Sequence, residues 1–412
     1  MTATTRGARP RRAPPRGDAD TASRALVVPI DRDLRAAEAS AVIIWRGERI
    51  GYPSLVTRIA NTSDRGERHG LFASYQEAVE AINPLREPRL DAWREAALRG
   101  SSDLVEAAQA AVGYDPARLA VAGQQFLIES ETVYFAALRR LLALIDIEQG
   151  DATLADLWHV FASGWNHWFD ERRVNAALRG TLTGLAWAEA ARGETPTGVA
   201  PWEMAAARLR SAGGDEPVDP IDRPAMAVVG NVLAGLLMEP AWLTGELRMS
   251  GDEIVGFADF AAFARLWRLR RDAALLAYEL RLYETPDPSV ARAYFSGMLS
   301  YMTGVSVPEA LYLAEVDRPW RSGADLRAEL AAAMAADGLR RRHGSTWWRR
   351  PEAGSALRDM AAASSVEDAV AQLGYDQLDW RPVLRQIRTQ LIGEMSGYGG
   401  PNITTRAGTR KV

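Results

Sequence analysis

The chain has 412 residues, of which 47% are hydrophobic, and a formal net charge of −4. This apolar content supports a sizeable core, and the charge gives no overall attraction to nucleic acids or acidic membranes. The absence of cysteine excludes disulfides, thiolate metal sites and a cysteine nucleophile, and it fits a reducing, cytoplasmic setting. The single lysine, Lys411, excludes a Schiff-base lysine in the core and a Walker-type phosphate loop.

Residues 1–24 are rich in arginine and proline, with no apolar stretch after the charges. We therefore expect a disordered basic arm rather than a secretory signal. No stretch approaches about 18 uncharged apolar residues, so no transmembrane helix and no membrane partner are predicted. Residues 41–45 are apolar, but they are too few for periodicity to distinguish a short strand from a buried helical turn.

From about residue 71 the apolar positions follow a helical period almost to the end of the chain. Glycine and proline interrupt this pattern most strongly at residues 193–222, although helical periodicity resumes briefly over 202–211. Helices are predicted at residues 116–147, 151–169, 172–192, 225–238, 288–303, 324–342, 351–363 and 378–394.

Ser250 and Glu253 have the spacing of a capping box. This spacing predicts a further helix of about thirty residues that begins there and ends before Pro286. The predicted fold is therefore mostly α, with one helical domain at residues 25–396 and a flexible, glycine-rich tail at residues 397–412.

Four segments in the second half of the chain carry a shared family pattern. They are LLMEPAWL at residues 236–243, LRRDAA followed by YEL within 269–280, the stretch 303–317, and the double-tryptophan stretch 344–354. In order and spacing these segments resemble the C-terminal half of the helical, oligopeptidase-type zinc metallopeptidases (gluzincins). The resemblance implies a single helical body with a central cleft.

The zinc chemistry of that family does not carry over to this sequence. A zinc peptidase needs two imidazoles one helical turn apart and a nearby carboxylate. The chain has four histidines and no His-Glu-x-x-His motif. The resemblance places the zinc-binding glutamate near Ala227, and it implies that residues 193–222 lack part of the family's site. We therefore expect a zinc-less scaffold with no metal, no cofactor and no zinc proteolysis.

His167 and Glu171 lie four residues apart within a predicted helix. An i, i+4 pair of this kind could supply two metal ligands or an acid–base pair, and His159 could share its face. The alternative is a histidine at a helix end beside solvated acids. Even three such groups on one helix do not complete a metal site.

Arg321 and Asp325 are also spaced four residues apart. The resemblance places them near the tyrosines that hold an oxyanion in the peptidases. Arg321 could therefore hold a carboxylate or phosphate through two parallel hydrogen bonds, with Asp325 orienting it. The alternative is an ordinary ion pair at the start of a helix.

Five arginines and no acidic residue lie between positions 340 and 350: Arg340, Arg341, Arg342, Arg349 and Arg350. Trp347 and Trp348 lie among them. Guanidinium groups for phosphates and indoles for base stacking predict an RNA-binding surface. The alternative is that the two tryptophans pack in the core and that the arginines form a solvated face.

Two classes of function follow from these observations. In the first, the cleft is reused for metal-free acyl or aminoacyl transfer in specialised metabolism, on a small-molecule or peptide-like substrate, with tRNA as a candidate donor. In the second, the protein is a non-catalytic module that binds a peptide or a partner protein. The sequence does not indicate the substrate or the oligomeric state.

Overall fold

The computed structural model describes residues 17–98, 103–162, 164–187, 200–212, 220–284, 287–316 and 318–391. Within these ranges the first half contains α1 (Gly17–Ser40), β1 (Val42–Trp45), β2 (Glu48–Gly51), α2 (Tyr52–Ala60), α3 (Arg65–Leu98), α4 (Leu104–Val112), α5 (Pro116–Ala143), α6 (Leu154–Ala162) and α7 (Glu171–Gly184). The second half contains α8 (Pro201–Ser211), α9 (Pro224–Ala234), α10 (Pro240–Gly245), α11 (Gly251–Glu284), α12 (Pro288–Thr303), α13 (Arg321–His343), α14 (Pro351–Ala361), α15 (Val366–Ala371) and α16 (Arg381–Leu391).

The strands belong to the N-terminal layer. β1 and β2 form an antiparallel hairpin in which Val42 pairs with Gly51, so residues 41–45 are strand rather than helical turn. α1 packs along α3. Because α1 begins at Gly17, residues 17–24 are helical, which corrects the disordered arm predicted for residues 1–24. The rest of that arm and the predicted tail lie outside the described residues.

α11 is a 34-residue helix that packs against α5, α12, α13 and α16. Its N-terminal half buries aromatic side chains: Phe257 contacts Trp165, and Phe260 contacts Trp202. A helix that is apolar on most of its circumference is stable only when it is surrounded. α11 is therefore the central element of a single helical body, and it brings together helices from both halves of the chain.

α13 runs antiparallel to α11. Arg265 on α11 is bonded to Glu329 on α13, whereas Glu279, further along α11, accepts a hydrogen bond from Ser322 near the start of α13. Residues 331–336 of α13 are five alanines and one methionine, all buried. These short side chains let α13 approach α9, α11 and α16 closely, so the helix is internal although its composition is not strongly hydrophobic.

Most predicted helices are confirmed, with shifted ends. Residues 288–303 form α12 with both boundaries as predicted, and periodicity at 202–211 is confirmed by α8. The predicted helix at 151–169 is wrong in its second half, because α6 stops at Ala162 and a 3₁₀ turn follows at Asn166–Trp168. None of the described helices is long and apolar enough to cross a bilayer.

Candidate active site

One face of α13 carries three ionisable residues one turn apart, and it opens toward solvent at one end. Arg321, Asp325 and Glu329 follow i, i+4, i+8 spacing, so they share this face. Their exposed side-chain fractions fall from 44% for Arg321 through 40% for Asp325 to 15% for Glu329. The face therefore runs from an accessible mouth at the start of α13 into the interior.

α11 supplies the facing wall. Arg265, Arg268 and Asp272 are spaced three and four residues apart, so they also share one face. Arg265 Nε lies 2.9 Å from Glu329 Oε2, which fixes the two helices against each other. On the neighbouring edge, Arg271 contacts Glu315 and lies 3.5 Å from Asp272.

α8 carries two further ionisable residues whose charges interact with those on α11 and α13. The Trp202 indole N–H donates to the Phe161 carbonyl at 2.8 Å, which anchors the start of this helix. Glu203 and Arg210 then lie two turns apart on one side of α8. The positive charge of Arg268 acts to lower the pKa values of Glu203 and Arg210. It has the same effect on the pKa values of Asp272 and Glu329.

Mutual charge effects link ionisable residues from three helices into one group. We call it the central charge cluster: Glu203, Arg210, Arg268, Asp272, Asp325 and Glu329. It lies deep among the helices, yet Asp325 at its edge remains well exposed. The cluster therefore runs from buried carboxyls on α11 and α13 to an exposed edge at Asp325.

Asp272 and Glu329 lie in the same cluster but titrate in opposite directions. Burial, reinforced by the negative charge of Asp325, raises the pKa of Asp272 to about 7 against the opposing effect of Arg271. Burial also acts to raise the pKa of Glu329, but the nearby guanidinium groups of Arg265, Arg268 and Arg210 outweigh it and hold that pKa below its usual value. Burial and neighbouring charges therefore move the pKa values of two carboxyls in one cluster in opposite directions, which is a common property of catalytic sites.

The residues from α8 are perturbed as well. Burial, followed by repulsion from Arg268, lowers the pKa of Arg210 to about 10. Burial raises the pKa of Glu203, although the Ala200 amide, at 3.2 Å from Glu203 Oε2, opposes this rise. α8 therefore holds Glu203 and Arg210 in a poorly solvated position.

Arg321 and Asp325 lie at the exposed end of this face of α13. Arg321 Nε is 3.5 Å from Asp325 Oδ2, so the predicted i, i+4 pair is present. Asp325 also faces the cluster, because its charge acts on Asp272 and Arg210. The ion pair also matches the alternative of an ordinary pair at a helix start, so a substrate contact by Arg321 stays a prediction.

His167 and Glu171 do not share a helix, which corrects the predicted geometry. His167 lies in the 3₁₀ turn and its Nε2 is 3.2 Å from Glu253, whereas Glu171 begins α7 and pairs with Arg208 at 3.4 Å. Asp170 caps α7 by accepting from the Arg173 amide, and the chain changes direction there. The two side chains are held by different partners, so the geometry gives no support to a joint metal or acid–base role.

The arginine-rich segment at residues 340–350 differs from the predicted RNA surface in one respect. Trp347 and Trp348 are fully buried, so neither indole is available to stack on a base. Four of its arginines have protein partners: Arg340 contacts Glu239, Arg341 contacts Asp337, Arg342 donates to the Gln372 carbonyl, and Arg349 contacts Glu246. RNA binding by these arginines and by Arg350 stays a prediction.

The described residues do not bring together the ligands that a zinc ion needs. His69 contacts Asp156, His159 Nδ1 lies 2.8 Å from the Ala60 carbonyl, and His167 contacts Glu253. His343 ends α13. Across the described ranges no three histidine, aspartate or glutamate side chains are grouped as metal ligands, and Ala227 lies buried in α9.

The arrangement of helices around α11 has counterparts among solved structures. Oligoendopeptidase F from Enterococcus faecium superposes with a TM-score of 0.63 at 11% identity, covering 90% of this chain and 72% of that one. PZ peptidase A with an inhibitor superposes with a TM-score of 0.60 at 14% identity, covering 90% and 77%. The chain has the oligoendopeptidase fold. No protein-family model matches the sequence, and no curated protein is significantly similar to it.

Within this oligoendopeptidase fold, sequence reasoning missed most of the central charge cluster. Arg210, Arg268 and Asp272 were not predicted as site residues. A weak signal was present, because α11 places ionisable residues at helical spacing at positions 265, 268 and 272. Charges at helical spacing inside an apolar pattern indicate a polar interior, but only packing shows which other helices complete it.

Proposed function

We propose that this chain is a zinc-free, non-proteolytic relative of the helical metallopeptidases that acts as an enzyme of specialised metabolism. Its substrate would be amino-acyl or peptide-like, and its reaction an acyl or aminoacyl transfer without a metal. The oligoendopeptidase fold supports the scaffold part of this proposal. The scattered histidines and Ala227 in α9 support the absence of zinc chemistry.

Asp272 carries the catalytic part of the proposal. Its side chain is mostly buried within the central charge cluster, and burial followed by the charge of Asp325 raises its pKa to about 7. A carboxyl that titrates near neutral pH can accept a proton from an attacking amine or hydroxyl and return it to the leaving group. Acyl transfer needs both steps.

Arg321 and Asp325 would contact the substrate at the mouth of the cleft. Arg321 is the more exposed of the two, and its planar guanidinium suits an anionic oxygen of the substrate. An aminoacyl-tRNA is one donor that the proposal includes. Its contacts would fall on the exposed arginines of residues 340–350, outside the cleft.

The proposal is tested first in cells and then with purified protein. Comparing the metabolites of a strain that lacks the gene with those of its parent identifies a compound whose level depends on this chain. We expect complementation by the wild-type gene and by Asp252→Asn, an exposed change at the start of α11. We expect Asp272→Asn not to restore the compound.

With the substrate pair identified, the rate of the purified enzyme should rise with pH through about 7, because the base is active when ionised. Asp272→Asn should lower kcat by about 100-fold or more and remove that limb of the profile. Full activity of Asp272→Asn at neutral pH would falsify the assignment of Asp272 as the base.

The second candidate is a non-catalytic module that binds a peptide or a partner protein. The exposed ion pair of Arg321 and Asp325 could contact a ligand with or without turnover. This candidate predicts that the purified chain binds the compound without changing it, and that Asp272→Asn restores the metabolite in the deletion strain.

A further inference from the structure

Helix α12 carries an exposed apolar stripe along its outer side. Its members are spaced four, three and four residues apart, so they project from one side of the helix: Val290, Tyr294, Gly297 and Tyr301. The exposed fraction is 47% for Val290, 41% for Tyr294 and 68% for Tyr301. A Cβ atom added at Gly297 would meet no neighbouring group within 4 Å. We call these four residues the α12 stripe.

The opposite side of α12 anchors the helix in the fold. Phe295 and Leu299 are buried there, and the ring centroid of Phe295 lies 5.1 Å from that of Tyr278. Arg292 is the only charged residue between positions 289 and 302, and it also lies on this side, 2.6 Å from Glu80. The α12 stripe is therefore free of charge, and the helix is held in place by its other side.

The spacing and composition of the stripe are those of a helix–helix contact. A repeat of four, three and four residues is the seam along which two helices pack in a coiled coil. Tyrosine is enriched at the centres of protein interfaces. The Tyr294 ring already stacks on Tyr278 at 6.4 Å, so it loses little side-chain entropy on binding. Val255 on α11 is different, because acidic residues at positions 252 and 259 flank it on the same helix face.

We infer that the α12 stripe pairs with the same stripe of a second copy of this chain, with the two helices antiparallel about a two-fold axis. The axis falls between Tyr294 and Gly297. It sets Tyr294 of each copy over Gly297 of its partner, and Val290 opposite Tyr301 of its partner. A large side chain thus meets a small one at every level of the contact, which lets the two helices pack closely.

Charge also favours a second copy, and the contact area sets how tightly it binds. An uncharged stripe meets no like charge when it pairs with itself, whereas a charged partner would bury unpaired charges against it. The 16-residue helix is about 24 Å long. At a width of about 10 Å the contact buries on the order of 500 Å² in total, below the ~1,200–2,000 Å² of stable complexes. The dimer should therefore be weak and form only at high protein concentration.

Analytical ultracentrifugation of the full chain measures the pairing. Between about 10 µM and ~1 mM protein, the weight-average mass should rise from that of one chain toward that of two, as for a Kd of about 100 µM. Gly297→Gln should weaken association by about tenfold or more, because its side chain fills the space taken by Tyr294 of the partner. This variant should keep the Tm of the single chain, since the position is open within one copy.

Tyr301→Gln should also weaken association, because it removes an exposed aromatic side chain from the stripe. Val255→Gln is the matched control. Val255 is an apolar residue of similar exposure on α11, so its replacement should leave the association constant unchanged.

Introduced cysteines report the register, because the chain has no cysteine of its own. The inferred axis brings position 290 of one copy next to position 301 of the other, but separates the two copies of position 290 by about 16 Å along the helices. A mixture of Val290→Cys and Tyr301→Cys chains should therefore form an inter-chain disulfide on mild oxidation, and either variant alone should form far less. A mixture of Val255→Cys and Tyr301→Cys chains is the control and should crosslink no more than the single variants.

Three results would each overturn the inference. The first is a chain that stays monomeric at the highest concentration, which would leave the stripe to a different partner. The second is association that Gly297→Gln does not weaken. The third is crosslinking by Val290→Cys alone that equals or exceeds crosslinking of the mixture, which would mean a different register or orientation. These measurements need no turnover, so they are independent of the function proposed above.

Discussion

Asp156 is a buried carboxylate whose hydrogen-bonding capacity is fully used. Arg68 donates to it at 2.8 Å, Arg65 lies at 3.3 Å and His69 at 3.1 Å, and the backbone amide of Thr153 donates at 3.1 Å. These contacts join the start of α3 to the start of α6. Since Arg68 is almost fully buried, removing the carboxylate would leave an uncompensated charge inside the fold.

We expect Asp156→Ala to lower the free energy of unfolding by about 3–5 kcal/mol, the cost of breaking a buried ion pair from one side. Urea unfolding at pH 7 measures this change. Asp151→Ala is the control, because that side chain is exposed in the neighbouring loop; it should change stability by less than about 0.5 kcal/mol. A loss below about 1 kcal/mol for Asp156→Ala would mean that the contacts of this carboxylate contribute little to stability.

The Asp156 carboxylate also makes the free energy of unfolding depend on pH. Burial alone would raise the pKa of Asp156, but Arg68, Arg65, the Thr153 amide and His69 together hold it well below its usual range. A carboxyl with a lowered pKa in the folded state stabilises the fold above its unfolded pKa of about 3.9, and this contribution is lost as pH falls below that value. Asp156→Ala should therefore differ less from wild type at pH 3 than at pH 7.

At the scale of elements, glycine determines how closely α14 approaches the chain after α7. A Cβ atom at Gly354 would collide with the backbone carbonyl of Leu185, whereas one at Gly297 on α12 would meet nothing. The Trp187 indole also donates to the Gly354 carbonyl at 3.0 Å, so the two segments are fixed at this distance. Gly354 is therefore required by packing, and Gly297 is not.

Gly354→Ala should destabilise the protein by about 1–3 kcal/mol or more, because backbone atoms must move to admit the methyl group. Gly297→Ala should instead stabilise it by up to about 1 kcal/mol, since alanine is the better helix former at an open position. Thermal unfolding measures whether Gly354→Ala lowers Tm and Gly297→Ala raises it. Equal effects at the two positions would contradict the packing argument.

Local signals explain which elements could be predicted from the sequence. α12 was predicted to the residue because Asp287 caps it, Pro288 starts it and Gly304 ends it in a left-handed conformation. The break after α6 was missed because aromatic residues continue through the 3₁₀ turn, where Trp165 and Phe169 still pack on Phe257. Apolar spacing alone does not reveal a change of direction when both segments face the same core.

The central charge cluster was harder to predict for a different reason. Its residues come from α8, α11 and α13, which are far apart in sequence, and an ionisable residue on a helix ordinarily faces water. Arg321 and Asp325 were predicted as site residues only through the family resemblance. Nothing local distinguishes Arg268 from the paired Arg265 three residues earlier, because the difference lies in which neighbouring helix supplies a carboxylate.

At the scale of the whole molecule, the absence of a zinc ligand set leads to a direct expectation. The purified chain should contain no stoichiometric zinc, and a strong chelator should leave its helicity and Tm unchanged, because packing rather than a metal holds the described helices together. Elemental analysis measures the zinc content, and circular dichroism measures helicity and Tm before and after the chelator is added. About one zinc per chain, removable only with loss of helicity, would refute the expectation.

The position of α11 also has a consequence for biosynthesis. The buried face of α5, which includes Phe126 and Tyr134, packs against α11. A ribosome must add roughly 140 residues after α5 before α11 is complete, which takes on the order of ten seconds at ~5–20 residues per second. Throughout this interval the apolar face of α5 lacks its final partner. The nascent chain is therefore exposed to aggregation at this stage, and we expect its yield to depend on chaperones that hold unfinished helical proteins.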